Sequence, residues 1–183
     1  MNLLKRLWVW LSRIHLCRGF GIQSPTDYWF VRYVINEHWP YYAYAGLGGR
    51  GGGWLTHKVG RLCLRLANWR QPALIVTSRQ PQQSGSVLHD YFRAGCRTAG
   101  FAEEPAGDVE LAYITAADAE AWQRLLPHCT ERSVVVVGDL WRNWPFWRAI
   151  EQHDRVGTTF DLYYCGIVFF DTKRFKHHYK VNF

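Results

Sequence analysis

The sequence predicts an α/β protein: a mostly parallel sheet flanked by helices, closed by a C-terminal antiparallel hairpin and preceded by a helical arm. Three observations carry this. Short apolar runs at 73–77 (ALIVT), 109–114 (VELAYI) and 133–137 (SVVVV) alternate with helix-patterned segments, the order that builds parallel strands with right-handed crossovers. The SVVVV run is continuous and β-branched, as in a strand buried on both faces. Near the end, Thr158–Tyr163 alternates and Ile167–Phe170 is apolar, with Cys165-Gly166 between them, which reads as a hairpin. The 183 residues fit an arm and glycine-rich linker over 1–54 and one sheet domain over 55–183.

Element by element, Leu3, Leu4, Leu7, Trp8, Leu11 and Ile14 recur at helical spacing while Lys5, Arg6, Ser12 and Arg13 lie elsewhere. This basic amphipathic helix is expected to pack its apolar face on its own domain, with a membrane surface as the other option. Ser24-Pro25-Thr26-Asp27 is a helix start, with Ser24 as N-cap and Pro25 at the first helical position. That helix runs to about Glu37 with Tyr28, Val31, Val34, Ile35 and His38 on one side, and Pro40 closes it. GLGGRGGG at 46–53 reads as a flexible loop; it lacks the preceding strand and following Lys-Ser/Thr pair that a phosphate cradle needs. From Thr56 to Arg70 the apolar face is Val59, Leu62, Cys63, Leu66 and Trp69.

After ALIVT, the stretch SRQPQQSG reads as a loop and Ser86–Ala94 as a helix stopped at Gly95. Residues 96–99 are a candidate second strand. Thr115 and Asp118 resemble a capping box for a helix to Leu126, and a helix bearing Trp144, Trp147 and Ile150 precedes the hairpin.

Apolar residues make up 48% of the chain and ten are Trp, which excludes a disordered chain and leaves aromatics over for an interface or pocket. No run reaches the ~18 apolar residues of a membrane span. The opening apolar run, Leu7–Leu11, is too short for a secretory leader. Five scattered cysteines without a C-x-x-C pattern fit buried thiols in a reducing cytoplasm, with peripheral attachment to the inner membrane surface as a variant. Of the net charge of +7, residues 1–20 supply +4 and residues 171–183 supply +3, so only the ends are basic. Solvated termini are the plain reading; a patch for an anionic membrane or nucleic acid is the functional one.

RGFGIQSPTDYWFVRYVI resembles the Gly-x-His-Ser-Pro-Phe entrance of a group of small bacterial class I SAM-dependent methyltransferases. TTFDLYYCGIVFFDTKRFKHHYKVNF is similar to that group's closing hairpin and basic tail, HKVGRLCLRLANWRQPALIV to its helix and first strand, and SVVVVGDLW to its central strand and acidic turn. The resemblance covers about two-thirds of the chain and implies a Rossmann-like sheet whose strand ends hold SAM (S-adenosylmethionine). It places any cofactor contacts at Thr77, Ser78, Thr115 and Asp139. The departures are specific. Where the family has an acid and a glycine-rich turn after the first strand, this chain has Thr77-Ser78-Arg79-Gln80-Pro81. Where it tends to carry Asp-Gly after VELAYI, this chain has Thr115-Ala116. Glu103 or Glu104 stands in the stretch of the ribose-binding acid, away from a clear strand end. By length, one strand–helix unit is missing from the middle.

Other chemistry is sparse. His177-His178 lacks a second set of metal ligands. Trp141, Trp144 and Trp147 form a helical face that suits packing or stacking on an aromatic ligand. Three functions follow as expectations: a methyltransferase-like protein with weak or no SAM binding that holds a ligand or protein partner; an active methyltransferase on a small-molecule or lipid-like acceptor; and a binder of anionic membrane or nucleic acid through the basic ends.

Overall fold

In the computed structural model, residues 3–78, 82–173 and 175–183 are described. Arg79, singled out above as a positive charge after the first strand, and Arg174 of the basic tail lie outside them. The helices are α1 (Leu3–Ser12), α2 (Pro25–Phe30), α3 (Tyr42–Gly48), α4 (Trp54–Arg70), α5 (Gln82–Gly95), α6 (Ala119–Leu125) and α7 (Trp144–Gln152). The strands are β1 (Leu74–Thr77), β2 (Gly100–Ala102), β3 (Val109–Thr115), β4 (Cys129–Gly138), β5 (Thr158–Asp161), β6 (Cys165–Phe169) and β7 (His177–Lys180).

They form one seven-stranded sheet in the order β2-β1-β3-β4-β6-β5-β7. β2, β1, β3 and β4 pair in parallel, β6 runs antiparallel to both β4 and β5, and β7 pairs in parallel with β5. The α/β class, the mostly parallel sheet and the antiparallel C-terminal portion are therefore as expected. The sheet buries both faces. One carries Ile75, Leu111, Val134, Val136 and Ile167 against α4, α5 and the segment 30–35. The other carries Val76, Ala112, Ile114, Val135 and Val168 against α6 and α7. That two-sided burial is why VVVV shows no alternation.

Several boundaries differ from expectation for identifiable reasons. Ser24 caps α2 through a bond from the Asp27 amide, but α2 gives way to a π-turn at Val31–Ile35. The register slip buries Phe30, Val31, Val34 and Ile35 and leaves Tyr28 and His38 outside. Part of the glycine-rich stretch is helical, because α3 reaches Gly48. The loop expected at 78–85 gives way to helix at Gln82. The second strand is Gly100–Ala102 rather than 96–99; Cys96 is fixed below it by its thiol on the Pro72 carbonyl. The tail also adds β7, which sequence patterning did not suggest. His178 spends Nδ1 on Thr159 Oγ1 at 2.8 Å and His177 stacks on Tyr179, and no metal-sized cluster occurs among the described residues.

The largest correction concerns α1. Its apolar face does not pack on the domain: only Val9 of the helix is buried. The cationic side faces inward instead. Arg6 lies 4.1 Å above the Trp54 ring and Lys5 lies 4.9 Å above Trp141. Just past the helix, Arg13 grips the buried carboxylate of Asp161 with both terminal nitrogens, at 3.0 and 2.9 Å. The basic ends meet only in part. Lys180 lies opposite Asp161, which Arg13 grips, whereas Lys173 pairs with Glu131 near the start of β4 and Lys176 donates to the His153 carbonyl, at the edge of the sheet opposite α1.

Three glycines admit aromatic rings that no side chain would allow. A Cβ at Gly60, Gly138 or Gly166 would fall inside the rings of Tyr91, Tyr113 or Trp147 respectively. Gly60→Ala is expected to cost about 1–3 kcal/mol in a denaturant titration, through displacement of Tyr91. Gly107→Ala, which meets nothing within 4 Å, is expected to leave the midpoint unchanged.

Candidate functional site

In an open α/β sheet, ligands bind outside the carboxyl ends of the strands where the strand order reverses. Here that point lies between β1 and β3, since the chain goes from β1 outward to β2 and then back to the other side. Thr77, Ser78, Thr115 and Asp139 all come to this edge, because Thr77 pairs with Tyr113 and Thr115 with Gly138.

Their polar groups are largely engaged by the protein. Thr77 Oγ1 lies 2.9 Å from His89 Nε2, and burial followed by the nearby Arg93 pulls the His89 pKa down, so the ring favours its neutral form. The Ser78 amide donates to the Tyr113 carbonyl at 2.9 Å, extending the sheet past β1. The Thr115 carbonyl accepts the Asp118 amide, and Asp118 in turn caps α6. Asp139 adopts left-handed backbone, φ 54°, and stands 3.8 Å from Arg142 Nε. The phenol of Tyr113 lies over Gly138, so a protein ring fills the space beside the β4 end.

Glu103 directly follows β2, a strand-end position that the sequence reading had denied it, because the strand sits three residues later than expected. It lines, with Val76, Ser78 and Glu104, a cavity of about 10 Å³. That is room for one water. Glu104 itself reaches Arg124 at 3.3 Å. For SAM, which needs carboxylates on its ribose and ammonium groups and open space for an adenosine, the fit is poor. The β1 end offers hydroxyls rather than an acid, the threonine hydroxyl is held by His89, and this cavity is far too small.

A second concavity was not anticipated. A cleft of about 510 Å³ runs beside α4, walled by the segment 35–40, Tyr44 and Phe183. Trp54, His57, Lys58 and Arg61 face it from α4. The sequence assigns these residues no role, and Trp54 falls in the expected linker; spacing cannot distinguish a solvated face from a cleft wall. Lys58 Nζ sits 4.4 Å above the Phe183 ring and 5.4 Å above Trp54. Arg61 stacks on Tyr44 at 5.0 Å. Arg65, deeper in, is a structural group: it donates to the Val34 and Ile35 carbonyls at 2.6 and 2.7 Å, ending the π-turn. His57 Nδ1 meets the Tyr91 hydroxyl at 3.0 Å. Among the described residues, Glu37 is the one acidic side chain on the cleft wall, and it accepts the Tyr41 hydroxyl at 2.9 Å. The result is a cationic channel with aromatic walls.

Of the expected tryptophan face, Trp147 is core, Trp144 rests against Tyr163, and Trp141 is covered by Lys5 and Arg142. All five cysteines are unbridged; burial pushes the Cys165 thiol up to about 12, which makes it a poor nucleophile.

Burial lowers the Lys58 pKa to about 8, with Arg65 and Arg61 acting in the same direction. An amine-acetylating reagent is therefore expected to modify Lys58 ahead of the surface lysines, with a reactivity midpoint near pH 8 rather than the ~10.4 of a free lysine; peptide mass spectrometry across a pH series reads this out. No family profile, curated protein or solved structure matches this chain.

Proposed function

We propose that the chain is a methyltransferase-like binding protein: a Rossmann-like sheet whose donor-binding edge has been filled in, and whose ligand enters the cleft along α4. The observation that carries this is the state of the carboxyl edge. Thr77 is tied to His89, no acid follows β1, and the cavity beside Ser78 measures about 10 Å³. A hydrogen bond to a charged group contributes roughly 1.5–3 kcal/mol. Losing two such contacts weakens a micromolar donor site to about millimolar or beyond. The reversed strand β6, between β4 and β5, is the closing feature that the family resemblance implies and supports the sheet assignment.

The cleft supplies what the strand ends lack. Lys58 and Arg61 offer charge, and Trp54, Tyr44 and Phe183 offer flat apolar surface. Such a site suits an organic anion with an aromatic or otherwise planar body. Lys58 is partly desolvated before any ligand arrives, so an anion beside it restores an interaction that burial took away.

A second reading, an active methyltransferase on a small-molecule or lipid-like acceptor, is favoured by one fact. Glu103 after β2 and Asp139 after β4 keep two acids at the edge where the family uses them. Calorimetry separates the two. SAM is expected to give no saturable heat below about 1 mM, and a micromolar isotherm would sink the proposal. The probe 1-naphthyl phosphate is expected to bind, at least tenfold more tightly than inorganic phosphate, and Lys58→Ala with Arg61→Ala is expected to remove most of that affinity.

A further inference from the structure

The ten residues of α1 pack by the wrong side for a core helix. At about 100° per residue, Leu3, Leu4, Leu7, Trp8, Trp10, Leu11 and the following Ile14 occupy one arc of roughly 160°. Their exposures run from 47% to 76%, and no charged residue falls within the arc. Lys5, Val9 and Arg13 occupy the opposite side, with Arg6 beyond one margin of the arc and Ser12 beyond the other.

The attachment to the body is specific. Arg13 holds Asp161 and lies over Tyr163, Arg6 lies on Trp54, and Lys5 lies over Trp141. The side-chain amide of Asn182 donates to the Trp10 carbonyl at 3.2 Å, pinning the helix from the chain's other end. Cations fastened inward fix the apolar arc outward.

We propose that α1 is an interfacial anchor that seats this protein on an anionic lipid surface. The arc provides the apolar face that enters the acyl boundary. Trp8 and Trp10 provide the amphipathic rings that favour the headgroup level, and the excess positive charge of the segment, with Arg6 beyond one margin of the arc, favours an anionic surface. Charge favours a lipid over a second copy of this chain. Residues 3–26 carry no acidic side chain, Asp27 is buried, and Arg18 is exposed. Two copies meeting through α1 would bring like charges together, whereas anionic headgroups complement them. No helix among the described residues is long and apolar enough to cross a membrane, so the attachment lies in the plane of the surface. The inference rests on the arc and its margins, independent of what the α4 cleft binds.

The test is co-sedimentation of the full chain with vesicles of phosphatidylcholine mixed with phosphatidylglycerol. The protein is expected to pellet with them, more weakly with phosphatidylcholine alone, and with a blue shift in tryptophan emission. Leu7→Glu with Leu11→Glu is expected to lower partitioning at least tenfold. Both sites are exposed, so thermal denaturation of the variant is expected to match the parent and to separate lost docking from lost folding. Failure to pellet, or pelleting that the double substitution leaves unchanged, would overturn the proposal. So would light scattering that shows a stable dimer taken apart by the same substitutions, because a second copy would then cover the arc. SAM or naphthyl phosphate titrations read the cleft and strand ends separately, so either result can fail without the other.

Discussion

The ion pair between Arg13 and Asp161 fixes the relation of the N-terminal arm to the sheet. Asp161 ends β5 at the carboxyl edge and is almost wholly buried. Its carboxylate accepts both terminal nitrogens of Arg13 and the Tyr163 amide, while its carbonyl accepts Arg13 as well. A buried carboxylate without such partners is strongly unfavourable, so removing either residue leaves an uncompensated group rather than a small loss of attraction. The pair also decides orientation. Once Arg13 is drawn into the sheet edge, the helix before it presents Val9 inward and its leucines outward. The same residues on an unanchored helix would bury the leucines instead.

Aromatic packing sets the second constraint. The rings of Tyr91, Tyr113 and Trp147 each need a glycine opposite, on α4, β4 and β6 respectively. One of these contacts, Tyr113 on Gly138, lies at the carboxyl ends of the strands, beside Asp139. Burial holds the Tyr113 phenol well above its ordinary pKa and therefore protonated. A hydroxyl so placed fills space and does not supply a base.

Much of the framework was legible in the sequence. The three central strands, the Ser24 cap, the α4 face and the closing hairpin were read from periodicity and capping chemistry, which are local. The outward face of α1 was not. Periodicity identifies which residues share a side but says nothing about what covers that side. The π-turn at Val31–Ile35 escaped because one extra residue per turn rotates the face without altering the composition. β7 escaped because its strand status comes from pairing with β5, while His177, His178 and Lys180 are polar and exposed and only Tyr179 turns toward the core. Among site residues, Thr77, Ser78, Thr115 and Asp139, named from the family resemblance, fall at one edge of the sheet. Lys58 and Arg61 were not singled out, because a cleft made by α4, the segment 35–40 and residue 183 exists only after the chain ends meet.

Trp54 joins these themes. Arg6 from the arm lies 4.1 Å from its ring, Lys58 from the cleft lies 5.4 Å from it, and Tyr164 of the β5–β6 turn meets it edge-on at 5.5 Å. A single cation on an indole contributes about 0.5–2 kcal/mol depending on desolvation. Trp54 is therefore where the arm, the cleft and the β5–β6 turn meet. Arg6 from the arm and Lys58 from the cleft wall rest on the same indole, so removing that ring would disturb the seat of the arm and one wall of the cleft together.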